Sequence, residues 1–147
     1  MSGGLFGSMG VSASGMTAER MRMDVVAENL ANADTTRGAN GKPYQRQEVI
    51  LEQAPGGPSF SDLLGNAQQS VGGGVEVVGV VSDQTPGQQV YDPGNPAANA
   101  QGYVTMPNVN PVTEMVDLIT ATRSYEANVQ VMDAAKQMYS KTLEILG

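Results

Sequence analysis

The sequence predicts a mainly α-helical protein with a small β-rich insertion, whose N- and C-terminal helices pair as a coiled coil and whose middle segment is irregular or extended. Two observations lead to this prediction. Apolar residues recur at heptad spacing near both ends of the chain, and the centre is rich in glycine, proline and short β-branched runs. We therefore divide the chain into an N-terminal helix at 1–33, a β-rich insertion with long loops at 34–110, and a C-terminal helix at 111–147.

The N-terminal helix is predicted from an apolar repeat of seven residues, which keeps the repeated positions on one side of a helix. Gly10 and Gly15 each lower helix stability by up to about 1 kcal/mol relative to alanine, so the helix should be firmest from residue 16 to Ala31. It should end near 32–36, where short polar side chains offer the backbone competing hydrogen bonds. The repeated residues are Met9, Met16, Met23 and Leu30.

The C-terminal helix is predicted from a stripe whose spacing alternates between three and four residues. Asn110 is a suitable N-cap and Pro111 suits the first helical turn. A helix over 111–146 would be on the order of 54 Å long, too long to cover only a small core. Thr122 and Lys136 interrupt the stripe; they either fix register or partner choice, or mark the drift of a straight helix against a strict heptad. The stripe comprises Met115, Leu118, Thr122, Tyr125, Val129, Met132, Lys136, Tyr139, Leu143 and Leu146.

The middle segment contains several strand candidates. We place them at 45–52, 75–81, 89–91 and 103–106, because β-branched and aromatic residues are concentrated there. Clusters of glycine and proline separate these runs. Residues 59–69 are compatible with either a short helix or a loop. The segment should therefore form a small β-rich insertion and not a full barrel.

Composition excludes several classes of function. The 147 residues include no cysteine and no histidine, so disulfides, thiolate zinc sites and a cysteine nucleophile are excluded and the usual metal ligand is missing. A net charge of −7 without a basic cluster argues against nucleic acid as a partner. No apolar run is long enough to cross a membrane, and no direct lipid binding is expected. With five Tyr, two Phe and no Trp, the chain should bury little core by itself.

We predict no enzymatic activity, no cofactor, and no catalytic or metal-binding residue. Residues 38–42 contain glycines and a lysine, but Pro43 replaces the serine or threonine that a phosphate loop requires. Scattered carboxylates could in principle pair for glycoside hydrolysis, although most such side chains are solvated surface. They are Asp34, Glu48, Glu76, Asp83 and Asp92. A hydrolase without histidine is therefore an alternative that nothing in the sequence demands.

The two amphipathic helices point to assembly as the function, because each carries a narrow apolar seam that the middle segment is too small to cover. We assign the assembly interface to Met9, Met16, Met23, Leu30, Met115, Leu118, Tyr125, Val129, Met132, Tyr139, Leu143 and Leu146. If the helices pair antiparallel within one chain, other apolar side chains stay on their outer faces and favour a partner, including an open filament of head-to-tail copies. These outer residues are Leu5, Phe6, Val25, Val112, Val116, Ile119 and Val131.

Three blocks of the sequence resemble the flagella basal body rod protein family of bacteria. Residues 14–36, which read SGMTAERMRMDVVAENLANADTT, are similar to the N-terminal motif of flagellar rod, hook and hook-associated proteins. Residues 111–119 and 123–128 resemble the C-terminal motif of the same proteins. Between them, 75–81, 90–96, 102–104 and 106–110 resemble the proximal-rod members of the family. The blocks occur in the family's order and span nearly the whole chain.

The resemblance implies a structural subunit of the proximal rod, the drive shaft that transmits torque across the periplasm. As partners it implies other copies of the chain, the rod proteins FlgB, FlgF and FlgG, the rod-base adaptor FliE, the flagellar type III export apparatus and the rod cap. It further implies export by that apparatus without a cleaved signal peptide. The terminal segments of the family become ordered on polymerisation.

Two other assignments stay open on the sequence alone. One is another axial component of the flagellum, which differs in its neighbours. The other is a coiled-coil adaptor that binds a single partner helix in a groove and forms a defined small complex. Two local departures accompany the resemblance: Asn95 stands where many relatives have histidine, and residues 55–73 resemble nothing in the family.

Overall fold

The computed structural model describes residues 2–38, 40–54 and 73–146, with only the backbone of residues 2–6, 145 and 146. It confirms the predicted fold class, since two long helices enclose a small β insertion in the sequence. The elements are helix α1 at Ser2–Ala31, strands β1 at Gln47–Gln53, β2 at Val75–Ser82, β3 at Gln89–Tyr91 and β4 at Tyr103–Thr105, and helix α2 at Pro111–Leu146. The predicted choice between helix and loop at 59–69 lies outside the described residues.

Helix α1 ends where polar side chains compete for its carbonyls. The backbone N–H of Asn32 donates to the carbonyl of Glu28 at 3.1 Å, and the Asn32 side-chain amide donates to the same oxygen at 2.9 Å. This amide satisfies a helix-end carbonyl and leaves the following residues free to turn. Gly10 and Gly15 do not interrupt the helix.

Helix α2 begins with the predicted cap. The side-chain oxygen of Asn110 accepts hydrogen bonds from the backbone N–H groups of Val112 at 3.0 Å and Thr113 at 3.4 Å. Pro111 takes the first helical position, where a missing N–H costs nothing. Glu114 lies in the first turn, where a carboxylate complements the helix dipole. These capping interactions fix the start of α2 and the direction in which its first side chains point.

The strands form two separate two-stranded sheets, β1–β2 and β3–β4. Strands β1 and β2 run antiparallel, since Ala54 donates to the Gly74 carbonyl at one end and Asp83 to the Arg46 carbonyl at the other. In the second sheet β3 pairs antiparallel with β4 in the register Gln89↔Thr105, Val90↔Val104 and Tyr91↔Tyr103. Each strand lies within two residues of its predicted range. Two-stranded sheets are marginal alone, so both depend on their surroundings.

The chain forms two compact units, and each helix contributes to both. The first comprises Met1–Met21, Leu51–Val78 and Ala121–Gly147, and its described buried side chains are Ser12, Ala18, Ala121 and Ala135. The second comprises Arg22–Ile50 and Gly79–Thr120, and its buried side chains include Val25, Val26, Asn29, Val104 and Glu114. These residues are alanines, valines and polar residues, and none of them is aromatic. Each unit therefore gains little free energy from apolar burial, in line with the scarcity of aromatic residues.

One predicted outer residue is in fact buried. Val25 was expected on an unpaired outer face, but only 6% of it is exposed. It lies four residues before Asn29 and so shares a helix face with that buried side chain. This face of α1 is therefore the packed one in the second unit, and Val25 is removed from the expected partner surface.

Candidate assembly surface

Apolar side chains line the outer side of the first turns of α2. Val112, Val116 and Ile119 follow one another at spacings of four and three, and 67%, 57% and 54% of their surface is exposed. Met115 lies beside them and is 47% exposed. Residues at this spacing share one helix face. We call these four residues the outer stripe. Exposed apolar strips of this kind are candidate partner sites on protein surfaces, and the role of this one stays a prediction.

The first unit also exposes apolar side chains of α2. They are Val131, Met138, Tyr139 and Leu143, each of which is about half exposed. The buried side of the helix in this unit carries Ala121 and Ala135 instead. Much of the apolar surface that α2 carries in this unit is therefore exposed to solvent.

The residues assigned to the assembly interface fall into two groups. Those that are half-buried within the chain are Met9, Met16, Met23, Leu30, Leu118, Tyr125, Val129 and Met132. Those that are exposed are Met115, Tyr139 and Leu143, and the Leu146 side chain lies outside the described part of the chain. Partial burial leaves each of the first group with surface that a second molecule could cover. Their role in assembly stays a prediction.

The most buried positions of α2 lie one residue before the polar interruptions of the predicted stripe. Ala121 and Ala135 are buried, whereas Thr122 is half-buried and Lys136 is exposed. The packed face of α2 is thus rotated by about one residue from the predicted stripe. The Lys136 side chain is exposed to water. Because Ala121 and Ala135 are two heptads apart and show the same offset, the offset does not grow along the helix, and the choice between a role in register or partner selection and helix drift stays open.

The helices approach closely in the first unit at a glycine. A Cβ atom placed on Gly15 would lie 2.9 Å from Nδ2 and 3.3 Å from Cγ of Asn128. At Gly10, by contrast, the same atom would meet nothing within 4 Å. Gly15 therefore permits a close contact between α1 and α2, whereas Gly10 has no such function within the described residues.

Asn29 links three elements of the second unit. Its amide nitrogen donates to Oε2 of Glu114 at 3.0 Å and to the backbone carbonyl of Gln47 at 2.9 Å. Its oxygen accepts from the Gln47 backbone N–H at 2.8 Å and from the Tyr44 hydroxyl at 3.0 Å. Asn29 is 1% exposed, and every polar atom of its side chain is bonded. The Asn29 amide thus connects α1 to α2. It also bonds the N–H and the carbonyl of Gln47 at the start of β1, as a neighbouring strand would.

Glu114 provides the second centre of this network. It is 0% exposed, and its Oε1 accepts from Nε of Arg46 at 2.5 Å. Arg46 also pairs with Glu48, and its Nη2 lies 3.6 Å from a carboxylate oxygen of Asp117. The buried carboxylate is therefore neutralised and hydrogen-bonded, which is the condition under which burial of a charge is tolerated. We call Asn29, Tyr44, Arg46 and Glu114 the polar cluster.

Neighbouring residues make two further hydrogen bonds and an ion pair around the polar cluster. The Arg46 backbone N–H donates to the side-chain oxygen of Asn108 at 2.7 Å, and the Asn108 amide donates to the Asp83 carbonyl at 3.2 Å. Arg22 of α1 lies 4.0 Å from Asp117 of α2. Since Arg22 precedes Asn29 while Asp117 follows Glu114, α1 and α2 run antiparallel within this unit.

The surroundings of the polar cluster shift the pKa values of two of its members. Burial alone would lower the pKa of Arg46, but hydrogen bonds to Glu114 and Glu48 outweigh it and raise that pKa. Burial, with the charges of Glu28 and Glu114, raises the pKa of Tyr44 above its ordinary value of 10.0. Arg46 is thus held charged and Tyr44 neutral, the states that their hydrogen bonds require.

The described residues give no indication of a metal centre or a membrane span. Across 2–38, 40–54 and 73–146, no three acidic side chains are grouped so that they could hold a metal ion. Nor is any helix in these ranges both long enough and apolar enough to cross a bilayer.

Comparison with known proteins identifies the family. The family model "Flagella basal body rod protein" matches residues 9–39, and "Flagellar basal body rod FlgEFG protein C-terminal" matches residues 100–145. The flagellar basal-body rod protein FlgC of Bacillus subtilis is 53% identical over 95% of this chain and 97% of its own length. The chain belongs to the FlgC family.

Other FlgC proteins show the same extent of similarity. FlgC of Borreliella burgdorferi is 41% identical over 97% of this chain and 98% of its own length. FlgC of Escherichia coli O6:H1 is 43% identical over 92% of each. As a FlgC-family protein, the chain is a structural subunit of the bacterial flagellar basal-body rod. The predicted family resemblance is confirmed along nearly the whole sequence.

The polar cluster connects the two segments that the FlgC-family chain shares with other rod proteins. Asn29 lies in the N-terminal matched segment and Glu114 in the C-terminal one, while Arg46 lies between them. Sequence analysis did not single out these residues as a site. The available signal was Asn29 itself, a polar residue next to the apolar repeat position Leu30, and a glutamate just inside the capped end of α2.

Proposed function

We propose that this chain is a non-enzymatic subunit that assembles through its terminal helices with copies of itself and with other rod proteins. The observation that carries the proposal is the outer stripe, where four large apolar side chains stand in solvent on one side of a capped helix. Family membership supplies the setting, since the relatives are rod proteins. Burial of such a stripe between subunits would supply hydrophobic free energy that the small internal cores lack.

The family assignment supports a proposal about neighbours and location. We propose contacts with FlgB, FlgF and FlgG, with the rod-base adaptor FliE, and with the type III export apparatus and rod cap during assembly. The rod would lie in the periplasm, and the chain would reach it without a cleaved signal peptide. The interface would use the half-buried seam residues together with the outer stripe.

The polar cluster supports a mechanical role for the same surface. The outer stripe and Glu114 lie on opposite sides of the first turns of α2. Through Glu114 this part of α2 is bonded to Asn29 of α1 and to Arg46 next to β1. A fully satisfied buried network is rigid. Load applied at the outer stripe of α2 would therefore pass to α1 and to the segment next to β1, as a torque-bearing subunit requires.

The proposal is tested by placing a charge in the outer stripe. Val116→Asp and Ile119→Asp should abolish co-assembly with rod partners and motility, while thermal unfolding of the purified chain stays near that of the wild type. Thr113→Asp is the matched control, because Thr113 is exposed in the same helix but lies outside the stripe. Sedimentation and electron microscopy of mixed rod proteins give the readout.

Two results would contradict the proposal. Normal rod formation by both stripe variants would show that the stripe is not an assembly surface. A closed complex of defined small size with a single partner helix, formed in place of an open polymer, would instead support the adaptor alternative.

A further inference from the structure

The loop between α1 and β1 contains an asparagine followed by a glycine. Asn40 and Gly41 are both exposed, and Gly41 has a φ of 72°, in the left-handed region that favours glycine. Two backbone hydrogen bonds close the loop, from Gly38 to the Lys42 carbonyl at 2.8 Å and from Gly41 to the Gly38 carbonyl at 2.9 Å. The loop therefore places Asn40 at the surface, while the next peptide N–H takes part in a hydrogen bond within the turn.

We propose that Asn40 is a site of spontaneous deamidation. The backbone nitrogen of Gly41 loses its proton and attacks the side-chain carbonyl carbon of Asn40, a new C–N bond forms, and the side-chain NH2 takes up a proton and leaves as ammonia. The product is a five-membered cyclic imide. Water then opens one of its two C–N bonds and gives either aspartate or isoaspartate at position 40. The net reaction consumes one water and releases one ammonia, and it needs no oxidant, reductant or enzyme.

The covalent surroundings favour this asparagine over the others. Ring closure needs the N–H of the following residue, and glycine leaves that nitrogen unobstructed because it lacks a Cβ. Asn40–Gly41 is the one such pair in the sequence, whereas Asn95 and Asn110 precede prolines, which have no N–H. Asn29 is excluded by burial, since both atoms of its amide are bonded within the polar cluster.

Asn99 is the informative comparison, because it too lies in an exposed turn. Its side-chain oxygen accepts from the backbone N–H groups of Gln101 and Tyr103, each at 2.9 Å, and these two bonds fix the orientation of the amide. The following residue is Ala100, whose Cβ crowds the approach. At Asn40, the N–H of Gly41 must break only its hydrogen bond to the Gly38 carbonyl before it can react. Because the loop is exposed, water can replace that hydrogen bond.

Modification would reach the polar cluster. Isoaspartate adds a main-chain atom inside the loop that the Gly38–Lys42 bond closes, and either product adds a negative charge two residues from Lys42. The loop leads directly to Tyr44, whose backbone N–H donates to the Thr35 carbonyl at 3.0 Å and whose hydroxyl bonds Asn29. A longer main chain in this loop would therefore displace Tyr44, the residue whose hydrogen bonds connect the loop to Thr35 and to Asn29 of α1.

The experiment follows the purified full-length chain during storage at mildly alkaline pH. Peptide mass spectrometry should show progressive loss of the unmodified Asn40 peptide, with the mass gain of replacing NH2 by OH and two products that separate chromatographically. Peptides carrying Asn95–Pro96 and Asn99–Ala100 serve as internal controls and should stay unchanged. Asn40→Gln should abolish the reaction, because its longer side chain would have to close a six-membered ring, and Asn99→Gln should not affect it.

A second sample in denaturant decides the role of the folded loop. Conversion of Asn40 in both samples supports the proposal. Conversion only in denaturant would show that the Gly41–Gly38 hydrogen bond protects the site, and the proposal would be wrong. Equal conversion at Asn99 and Asn40 in the folded chain would also overturn it, since the loop would then confer no selectivity.

Discussion

Asn29 in α1 and Glu114 in α2 are hydrogen-bonded at 3.0 Å although 85 positions separate them in the sequence. Both side chains are buried, in a unit whose other buried side chains include Val25, Val26 and Val104. A charged residue in such a place is stable only because Arg46 and Asn29 together satisfy its two oxygens. The second unit thus contains a buried polar contact between its helices in addition to apolar packing.

Removal of the buried carboxylate should destabilise the chain strongly. Glu114→Ala should lower the free energy of unfolding by about 3 kcal/mol, since it leaves Asn29 and the Arg46 guanidinium without their buried partner. Chemical denaturation of the isolated chain measures this. Glu126→Ala, at an exposed position of the same helix, should change stability by no more than about 0.5 kcal/mol. Equal effects of the two substitutions would contradict a structural role for the polar cluster.

Tyr44 should make stability depend on alkaline pH. Its pKa is raised above 10.0 in the folded chain, so the unfolded chain releases the phenolic proton first as pH rises. The contribution of protonated Tyr44 to the free energy of unfolding is complete below pH 10.0. It is lost as pH rises through the pKa that Tyr44 has in the folded chain. Tyr44→Phe should remove this contribution and also lose about 1 kcal/mol at neutral pH, because the bond to Asn29 is gone.

Unfolding experiments from neutral to strongly alkaline pH test this expectation. The difference in stability between wild type and Tyr44→Phe isolates the one group, since other tyrosines and lysines titrate in both proteins. A difference that stays constant across the alkaline range would show that Tyr44 titrates alike in the folded and unfolded chains.

The two glycines of α1 should respond differently to alanine. Gly10→Ala should stabilise the chain by up to about 1 kcal/mol, because alanine favours the helix and nothing lies within 4 Å of its new Cβ. Gly15→Ala should gain less or lose stability, because its Cβ would approach Asn128 to 2.9 Å. Adding Asn128→Ala should restore the helix gain, as a double-mutant cycle of unfolding free energies would show. Equal gains at both glycines would mean that the contact is not tight in solution.

Charges in the half-buried seam should damage folding as well as assembly. Val129→Asp and Met132→Asp place a carboxylate in partly buried positions of α2 without a partner, so both should lower the unfolding temperature and abolish rod formation. Val131→Asp is the matched control for folding, because this residue is about half exposed on the same helix and should leave the unfolding temperature near the wild-type value. Rod formation and motility that survive Val129→Asp or Met132→Asp would exclude the seam from assembly.

The sequence determined the local elements of this protein. Heptad spacing defined both helices, and Asn110 with Pro111 fixed the start of α2, because caps act within one turn. Runs of β-branched residues located each strand to within about two residues, the usual uncertainty of element ends. The motifs at both ends also identified the family, which needs only residue identity and order. Helix caps, strand-forming runs and family motifs depend on residues that are close together in the chain, so they can be recognised from a single sequence.

Only the tertiary structure decided which face of each helix is packed. Periodicity could not show that Ala121 and Ala135 lie inside while Lys136 lies outside, or that Val25 is buried, because a shift of one residue changes the face without changing the period. Nor could it bring Asn29, Arg46 and Glu114 together, since each is an ordinary polar residue in its own segment. Their pairing depends on how α1, β1 and α2 meet, which is a property of long-range packing.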